Sequence, residues 1–188
     1  DSTITQTGMF NGLQTVRKQT NANGDGGFVI QNLNIKNSHF KNAQSNAVVG
    51  ALTGYMKGRW TLENVHLVRD KKNEEGSKDV YGSSYSGGLI GVINYYSTNS
   101  NDRNVQEITF KNCGVTGARG TEALIESTSN IGGMVGYVEG LPNNNANVYY
   151  GNIVFDNCNV SYAQIRTTDG NAGGYIGRVG YPCANYKE

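Results

Sequence analysis

Two short motifs alternate along this chain and recur in a fixed order. The first is an apolar-x-Asn-apolar-x-apolar unit. It reads Ile30-Gln31-Asn32-Leu33-Asn34-Ile35 and Leu62-Glu63-Asn64-Val65-His66-Leu67, then Phe110-Lys111-Asn112-Cys113-Gly114-Val115 and Phe155-Asp156-Asn157-Cys158-Asn159-Val160. The second is an apolar run closed by glycine: Ala47-Val48-Val49-Gly50, Gly88-Leu89-Ile90-Gly91, Gly133-Met134-Val135-Gly136 and Gly174-Tyr175-Ile176-Gly177. The asparagines lie 32, 48 and 45 residues apart and the closing glycines 41, 45 and 41. Fixed order with variable spacing is the mark of stacked structural units whose connecting loops differ in length.

Within the Asn unit the apolar residues lie two apart, which is strand periodicity, and the alternation changes register at the Asn. Each unit therefore reads as two short strands joined by a bend. A stacked series places Asn32, Asn64, Asn112 and Asn157 above one another, their amides hydrogen-bonded as a ladder. An unpartnered buried amide costs a few kcal/mol, which favours mutual pairing over four separate turns. The residues before these asparagines are Gln31, Glu63, Lys111 and Asp156. Stacking puts them on adjacent outward positions, where Glu63, Lys111 and Asp156 alternate in sign. Glycine at one fixed place in a strand repeat marks a bulge or a close backbone approach, and Gly50, Gly91, Gly136 and Gly177 are read as that column. No Lys-Ser/Thr follows them, so they do not form a phosphate loop.

Composition agrees with strands. Of 188 residues, 26 are Gly, 25 Asn and 12 Tyr, with only 2 Pro, a mixture suited to turns and pleated surfaces. The longest candidate helix is a weak one, Thr121 to Ser129. The predicted architecture is all-β: a right-handed parallel β-helix, or solenoid, of about four repeats, with one repeat of 41 to 48 residues per coil and two coils per repeat as the competing register. Polar stretches from Arg69 to Ser86, Tyr95 to Val105 and Gly140 to Tyr150 read as long loops on a single domain spanning residues 1–188. The stretch Tyr181 to Glu188 is too short for a good cap, so the chain is expected to be part of a larger protein or to dock onto one.

These residues resemble the GLUG-repeat proteins, named for a Gly-Leu-x-Gly core. Gly87-Gly88-Leu89-Ile90-Gly91, Gly132-Gly133-Met134-Val135-Gly136 and Gly173-Gly174-Tyr175-Ile176-Gly177 look like that core. Phe110-Lys111-Asn112-Cys113 and Phe155-Asp156-Asn157-Cys158 look like the apolar-x-Asn-Cys segment that often follows it. Gly8-Met9-Phe10-Asn11-Gly12 and Ile30 to Ile35 fit the usual opening, and the likeness runs from about residue 8 to residue 180. The first Gly unit departs, with Asn46-Ala47 in place of Gly-Gly. The resemblance implies a secreted or cell-surface bacterial protein with a β-helical stalk or adhesive domain, and brings no catalytic residues.

Charge narrows the partners. The net charge is +1 with 16% charged residues, so no basic field exists to hold a nucleic acid. No apolar run approaches the ~20 residues needed to span a bilayer, so no membrane insertion is expected. The chain opens at Asp1 with no leader-like stretch and is read as a mature or excised form, in an extracellular or bacterial cell-surface location. Cys113 and Cys158 fall at one place in consecutive repeats, where a disulfide just reaches but ladder geometry favours simple packing. His39 and His66 have no neighbour at metal-ligand spacing and read as surface residues, so no metal or cofactor is expected.

Two classes of function follow. In the first, the chain is a non-catalytic module for adhesion or for binding a host or matrix protein or glycan, or a stalk that presents another domain of its parent polypeptide. The binding candidates are aromatic: Tyr81, Tyr85, Tyr95, Tyr96, Tyr149, Tyr150 and Trp60, since tyrosine flanked by asparagine binds sugars and proteins at small entropic cost. The same aromatics also serve as covers over the ends of the core. In the second, the chain is a carbohydrate-active β-helix enzyme or a piece of one, which needs a carboxylate pair or an acidic calcium site. The acids cluster only at Asp70–Glu75 and Asp79, and Glu63, Glu107 and Asp156 are isolated or fit the stacking pattern, so no such pair assembles from the sequence.

Overall fold

The computed structural model describes residues 6–14, 27–72, 77–94, 96–97, 107–139, 149–150 and 152–180. Among them every regular element is a β-strand, and the strands repeat in circuits. The first circuit runs through β1 (Gln6–Thr7), β2 (Phe10–Gln14), β3 (Phe28–Lys36) and β4 (Phe40–Asn42). The second runs through β5 (Val48–Gly50), β6 (Thr53–Lys57), β7 (Arg59–Val68) and β8 (Val80–Gly82). The third has β9 (Tyr85–Gly87), β10 (Ile90–Asn94), a side strand β11 (Tyr96–Ser97), β12 (Glu107–Lys111), β13 (Gly114–Thr116) and β14 (Ala123–Ser127). The fourth has β15 (Asn130–Gly132), β16 (Val135–Glu139), a side strand β17 (Tyr149–Tyr150), β18 (Asn152–Asp156), β19 (Asn159–Ser161) and β20 (Ala163–Thr167). A half circuit, β21 (Ala172–Gly173) and β22 (Ile176–Val179), follows.

Each circuit contributes to each of four parallel sheets. The first sheet is ordered β1-β5-β9-β15-β21 and the second β2-β6-β10-β16-β22. The third holds β3, β7, β12/β13 and β18/β19, and the fourth β4-β8-β14-β20. Val48 pairs with Tyr85, Tyr85 with Asn130 and Ile131 with Ala172, so consecutive repeats are direct neighbours and each repeat makes one circuit.

The core follows from strand alternation. In β7, Trp60 and Leu62 point inward, Glu63 and Asn64 do not, and Val65 and Leu67 point inward again. The reset is a backbone event. Asn64 sits at φ 54°, and Asn32, Asn112 and Asn157 at 57°, 50° and 50°. Asparagine tolerates this left-handed region better than other side-chain-bearing residues, and the region turns the chain while swapping its faces. The apolar positions stack in columns, such as Ile30, Leu62, Phe110 and Phe155. The Phe110 and Phe155 rings lie parallel, centroids 4.7 Å apart. Each fully buried side chain of this size contributes about 1.5–3 kcal/mol. Gln31, Glu63, Lys111 and Asp156 also fall in one register column on the outer surface.

The glycine register differs from the reading given by the motif. Gly50 pairs with Gly87, and Gly87 with Gly132, itself paired with Gly173. The counterpart of Gly91, Gly136 and Gly177 is Gly54, because Thr53 pairs with Ile90 and Tyr55 with Val92. The two columns are needed sterically. A methyl carbon at Gly87 would stand 2.0 Å from the Ile90 carbonyl oxygen, and one at Gly132 would stand 2.0 Å from that of Val135. At Gly177 it would lie 2.4 Å from the Ile131 backbone. The candidate helix at Thr121–Ser129 is corrected too: Ala123, Ile125 and Ser127 are buried and Leu124 and Glu126 are not, the alternation of strand β14.

A buried ion pair ties three circuits together. Arg69 Nε donates to Asp79 Oδ1 at 2.9 Å, with a second bond from Nη2, and the side chains are 3% and 0% exposed. Arg69 also donates to Ser38 O in the first circuit, and Leu124 N in the third donates to Asp79 Oδ2. The ends of the Arg69–Asp79 connection are thus locked into the wall.

Candidate functional site

The passage from the second sheet to the third varies widely in length among the circuits, as does that from the third to the fourth. The second circuit makes the first of these passages with Gly58 alone, between Lys57 and Arg59. The third leaves at Asn94 and returns at Glu107, and the fourth leaves at Glu139 and returns at Asn152. These two excursions meet. β11 is the outgoing arm of one and β17 the returning arm of the next, so they pair antiparallel beside a body that is otherwise parallel. Tyr96 is the register partner of Tyr150, and Ser97 of Tyr149. The ribbon therefore joins two of the tyrosine clusters singled out from the sequence. Tyr95 lies outside the described residues.

At the base of these excursions Asn94 Nδ2 donates to Glu139 Oε2 at 2.8 Å. Asn94 is 4% exposed, and its Oδ1 is buried with no hydrogen-bond partner among the described residues. A buried acceptor left unpaired costs about 1–3 kcal/mol.

The other aromatic candidates stand elsewhere. Tyr81 lies in the fourth sheet, half-buried, with Lys78 Nζ 4.4 Å and Lys41 Nζ 5.9 Å from its ring centre. Lys78 also pairs with Glu126. Tyr85 lies in the first sheet and stacks on Tyr137 at 4.6 Å. Trp60 is a correction: it is 7% exposed within the core, its indole N–H donates to Lys57 O at 2.9 Å, and it packs against Phe28. Its amphipathic ring closes the core beneath the corner and is not open to a ligand.

The polar residues flagged from the sequence are distributed along the stack. Asn64 Nδ2 donates to Asn32 Oδ1 at 3.0 Å and Asn157 Nδ2 to Asn112 Oδ1 at 2.6 Å, along the outside of the bends. Cys113 and Cys158 are free thiols, and burial pushes that of Cys113 up to about 11. His39 is exposed with Nδ1 3.0 Å from Lys78 O, and His66 is half-buried between Asn34 and Gly114. Asp79 is the ion-pair partner already described. Asp70 accepts from Asn37 Nδ2, a bond that holds its carboxyl below the ordinary range. Among the described residues no three His, Cys, Asp or Glu side chains are grouped to hold a metal ion.

Sequence reasoning missed Tyr175. Its hydroxyl donates to Cys158 O at 2.6 Å and its ring meets Phe155 edge-on. The signal was present, because Tyr175 occupies the Leu89 and Met134 place of the Gly unit, where only a chain-end position tolerates a polar tip. No family model, no curated protein and no solved structure matches this chain.

Proposed function

We propose that this chain is a non-catalytic β-helical module of an extracellular or cell-surface protein, binding a protein or glycan at the corner between its second and third sheets. The observation that carries the reading is the pairing of Tyr96–Ser97 with Tyr149–Tyr150, two residues along the chain from Asn94, whose buried Oδ1 has no hydrogen-bond partner among the described residues. Tyrosines provide large contact area with few torsions to freeze, and flanking Asn and Ser provide adaptable hydrogen bonds. A rigid body with variable loops at one corner is the usual arrangement for recognition.

The finer architecture belongs to the same proposal. Four parallel sheets visited in the same order by every circuit fit a right-handed parallel β-helix, since parallel crossover connections are right-handed in nearly all known cases. The corrected register bears on the likeness to GLUG-repeat proteins: Gly50-Ala51-Leu52-Thr53-Gly54 lines up with Gly87-Gly88-Leu89-Ile90-Gly91, with Ala51 in place of the first glycine of the Gly-Leu-x-Gly core. A surface location and a bacterial source rest on that likeness.

The test is a glycan-array screen of the purified chain, with and without calcium, followed by Tyr96→Ala and Tyr150→Ala. Saturable binding lost in both variants is the expected result. Silence across the array, or binding indifferent to both substitutions, overturns glycan recognition at this corner and leaves a stalk or protein-docking role.

A further inference from the structure

The outer face of the fourth sheet carries a column of long polar side chains. Phe40, Val80, Ile125 and Ile165 pack into the core, and strand alternation turns the residue after each of them outward. These residues are Lys41, Tyr81, Glu126 and Arg166, in direct register on four successive rungs. The column spans about 14 Å, three rungs of ~4.8 Å. Lys78 joins it from the end of the Arg69–Asp79 connection: its Nζ lies 4.4 Å from the Tyr81 ring centre and pairs with Glu126. Lys41 Nζ lies 5.9 Å from the same centre. Lys41 and Arg166 are exposed and Tyr81 is half-buried, so part of its ring stays open. Three cations thus share this face with one carboxylate, on a chain whose net charge is only +1. Arg166 donates to Gln164 Oε1, and among the described residues neither Lys41 nor Arg166 has a carboxylate within ion-pair distance.

We infer that this face binds an acidic glycan, a chain of sugars bearing carboxylates or sulfates, laid along the stack. Lys41 and Arg166 meet its acid groups at the two ends of the column, as charge complementarity requires. The open part of the Tyr81 ring packs against the apolar C–H face of a sugar. Glu126 accepts from sugar hydroxyls, donors that a purely acidic ligand lacks. A sugar acid supplies all three chemistries at once. An acidic peptide suits the face less well. The backbone groups of a sheet point to the neighbouring strands, so its face offers side chains only. A peptide laid there gains none of the main-chain pairing that drives strand addition. The stacked wall also holds the column in register before a ligand arrives, which lowers the cost of ordering it. The site uses the face of the sheet, not an edge, and none of the tyrosines at the corner.

The probes are a tetramer of galacturonic acid and a sulfated heparin tetrasaccharide, titrated calorimetrically into the full chain at low and at physiological salt. The methyl ester of the first and tetraglutamate are the comparators. Saturable one-to-one binding of at least one sugar acid, weakened by salt and absent for the methyl ester, is the expected result. The tighter of the two probes identifies the acidic group as carboxylate or sulfate. Lys41→Gln and Arg166→Gln change exposed side chains that leave the core intact, and each should weaken binding about two- to fivefold at low salt. Tyr81→Leu should weaken it about three- to tenfold. Equal binding of galacturonate and its methyl ester overturns the proposal, as does binding indifferent to Tyr81→Leu and to Lys41→Gln. Tetraglutamate bound as tightly as the sugar acids assigns the face to an acidic peptide and overturns it equally. Absence of binding by both sugar acids does the same.

Discussion

Removing Arg69 puts the buried ion pair to the test. In Arg69→Met the methylene bulk is kept while both charge-assisted bonds to Asp79 and the bond to Ser38 O are lost. Asp79, with its side chain fully buried, keeps only the Leu124 amide as a donor among the described residues. Leaving one member of a buried pair uncompensated costs about 3–5 kcal/mol, a large share of the 5–15 kcal/mol that holds a typical domain together. Asp79→Asn should cost a similar amount, because it strands the guanidinium. The double variant Arg69→Met/Asp79→Asn carries no stranded charge, so its cost should fall short of the summed single costs by at least about 2 kcal/mol. Urea unfolding followed by Trp60 fluorescence measures all four corners of the cycle. A single-variant cost below about 1 kcal/mol, the level of a solvent-exposed pair, would refute the reasoning, as would simple additivity.

Two further outcomes follow from the bends and the thiols. Asn64→Gly keeps the left-handed backbone and loses only the amide bond to Asn32, about 0.5–1 kcal/mol, whereas Asn64→Ala adds left-handed strain and should be less stable than the Gly variant by roughly 0.5–1 kcal/mol; equal stabilities by denaturation would show that the backbone does not require this conformation. Burial raises the Cys113 thiol from 9.0 to about 11, so its contribution to stability is complete below about pH 9 and is lost as the pH rises through 11. The same shift leaves roughly a hundredfold less thiolate than an ordinary cysteine at pH 8, and iodoacetamide should alkylate Cys113 at least that much more slowly in the native chain than in urea, read by mass spectrometry.

The strand character and the parallel stacking were legible because period-two alternation and a recurring Asn bend are local signals. So was the outer column of Glu63, Lys111 and Asp156, since shared position in a repeat becomes shared register once circuits stack. The glycine register slipped by four residues in the second circuit for a physical reason. Val48-Val49-Gly50 imitates the apolar run that closes the other units, while the true counterpart has Ala51 for the second glycine and Thr53 for the β-branched apolar residue. Thr121–Ser129 has helix-forming composition in Glu122, Ala123, Leu124 and Glu126, but pairing with β8 and β20 on either side outweighs that preference. Arg69 and Asp79 left no trace, because nothing local distinguishes them from the lysines and glutamates between them. Trp60 was misread as a contact residue for want of its partner, the Lys57 carbonyl.

The glycine columns and the tyrosine ribbon are parts of one arrangement. From Gly50 to Thr53, Gly87 to Ile90, Gly132 to Val135 and Gly173 to Ile176, the turn between the first and second sheets takes two intervening residues every time, because backbone packs where a side chain would stand. No insertion fits there. The corner between the second and third sheets has no such closure, and successive circuits pass it with thirteen residues, one, twelve and twelve. Length is therefore free to vary at that corner, as it does between the third and fourth sheets, yet its geometry is inherited from the closed one. The glycine turns hold Ile90 opposite Val135 and so bring Asn94 opposite Glu139, one rung apart. One excursion starts from Asn94 and the next rejoins the body at Asn152, and between these points Tyr96 meets Tyr150. A slip of one residue would turn every side chain of β10 to the opposite face and separate Asn94 from Glu139. What the candidate site presents to a ligand is thus set by steric exclusion on the neighbouring edge of the stack.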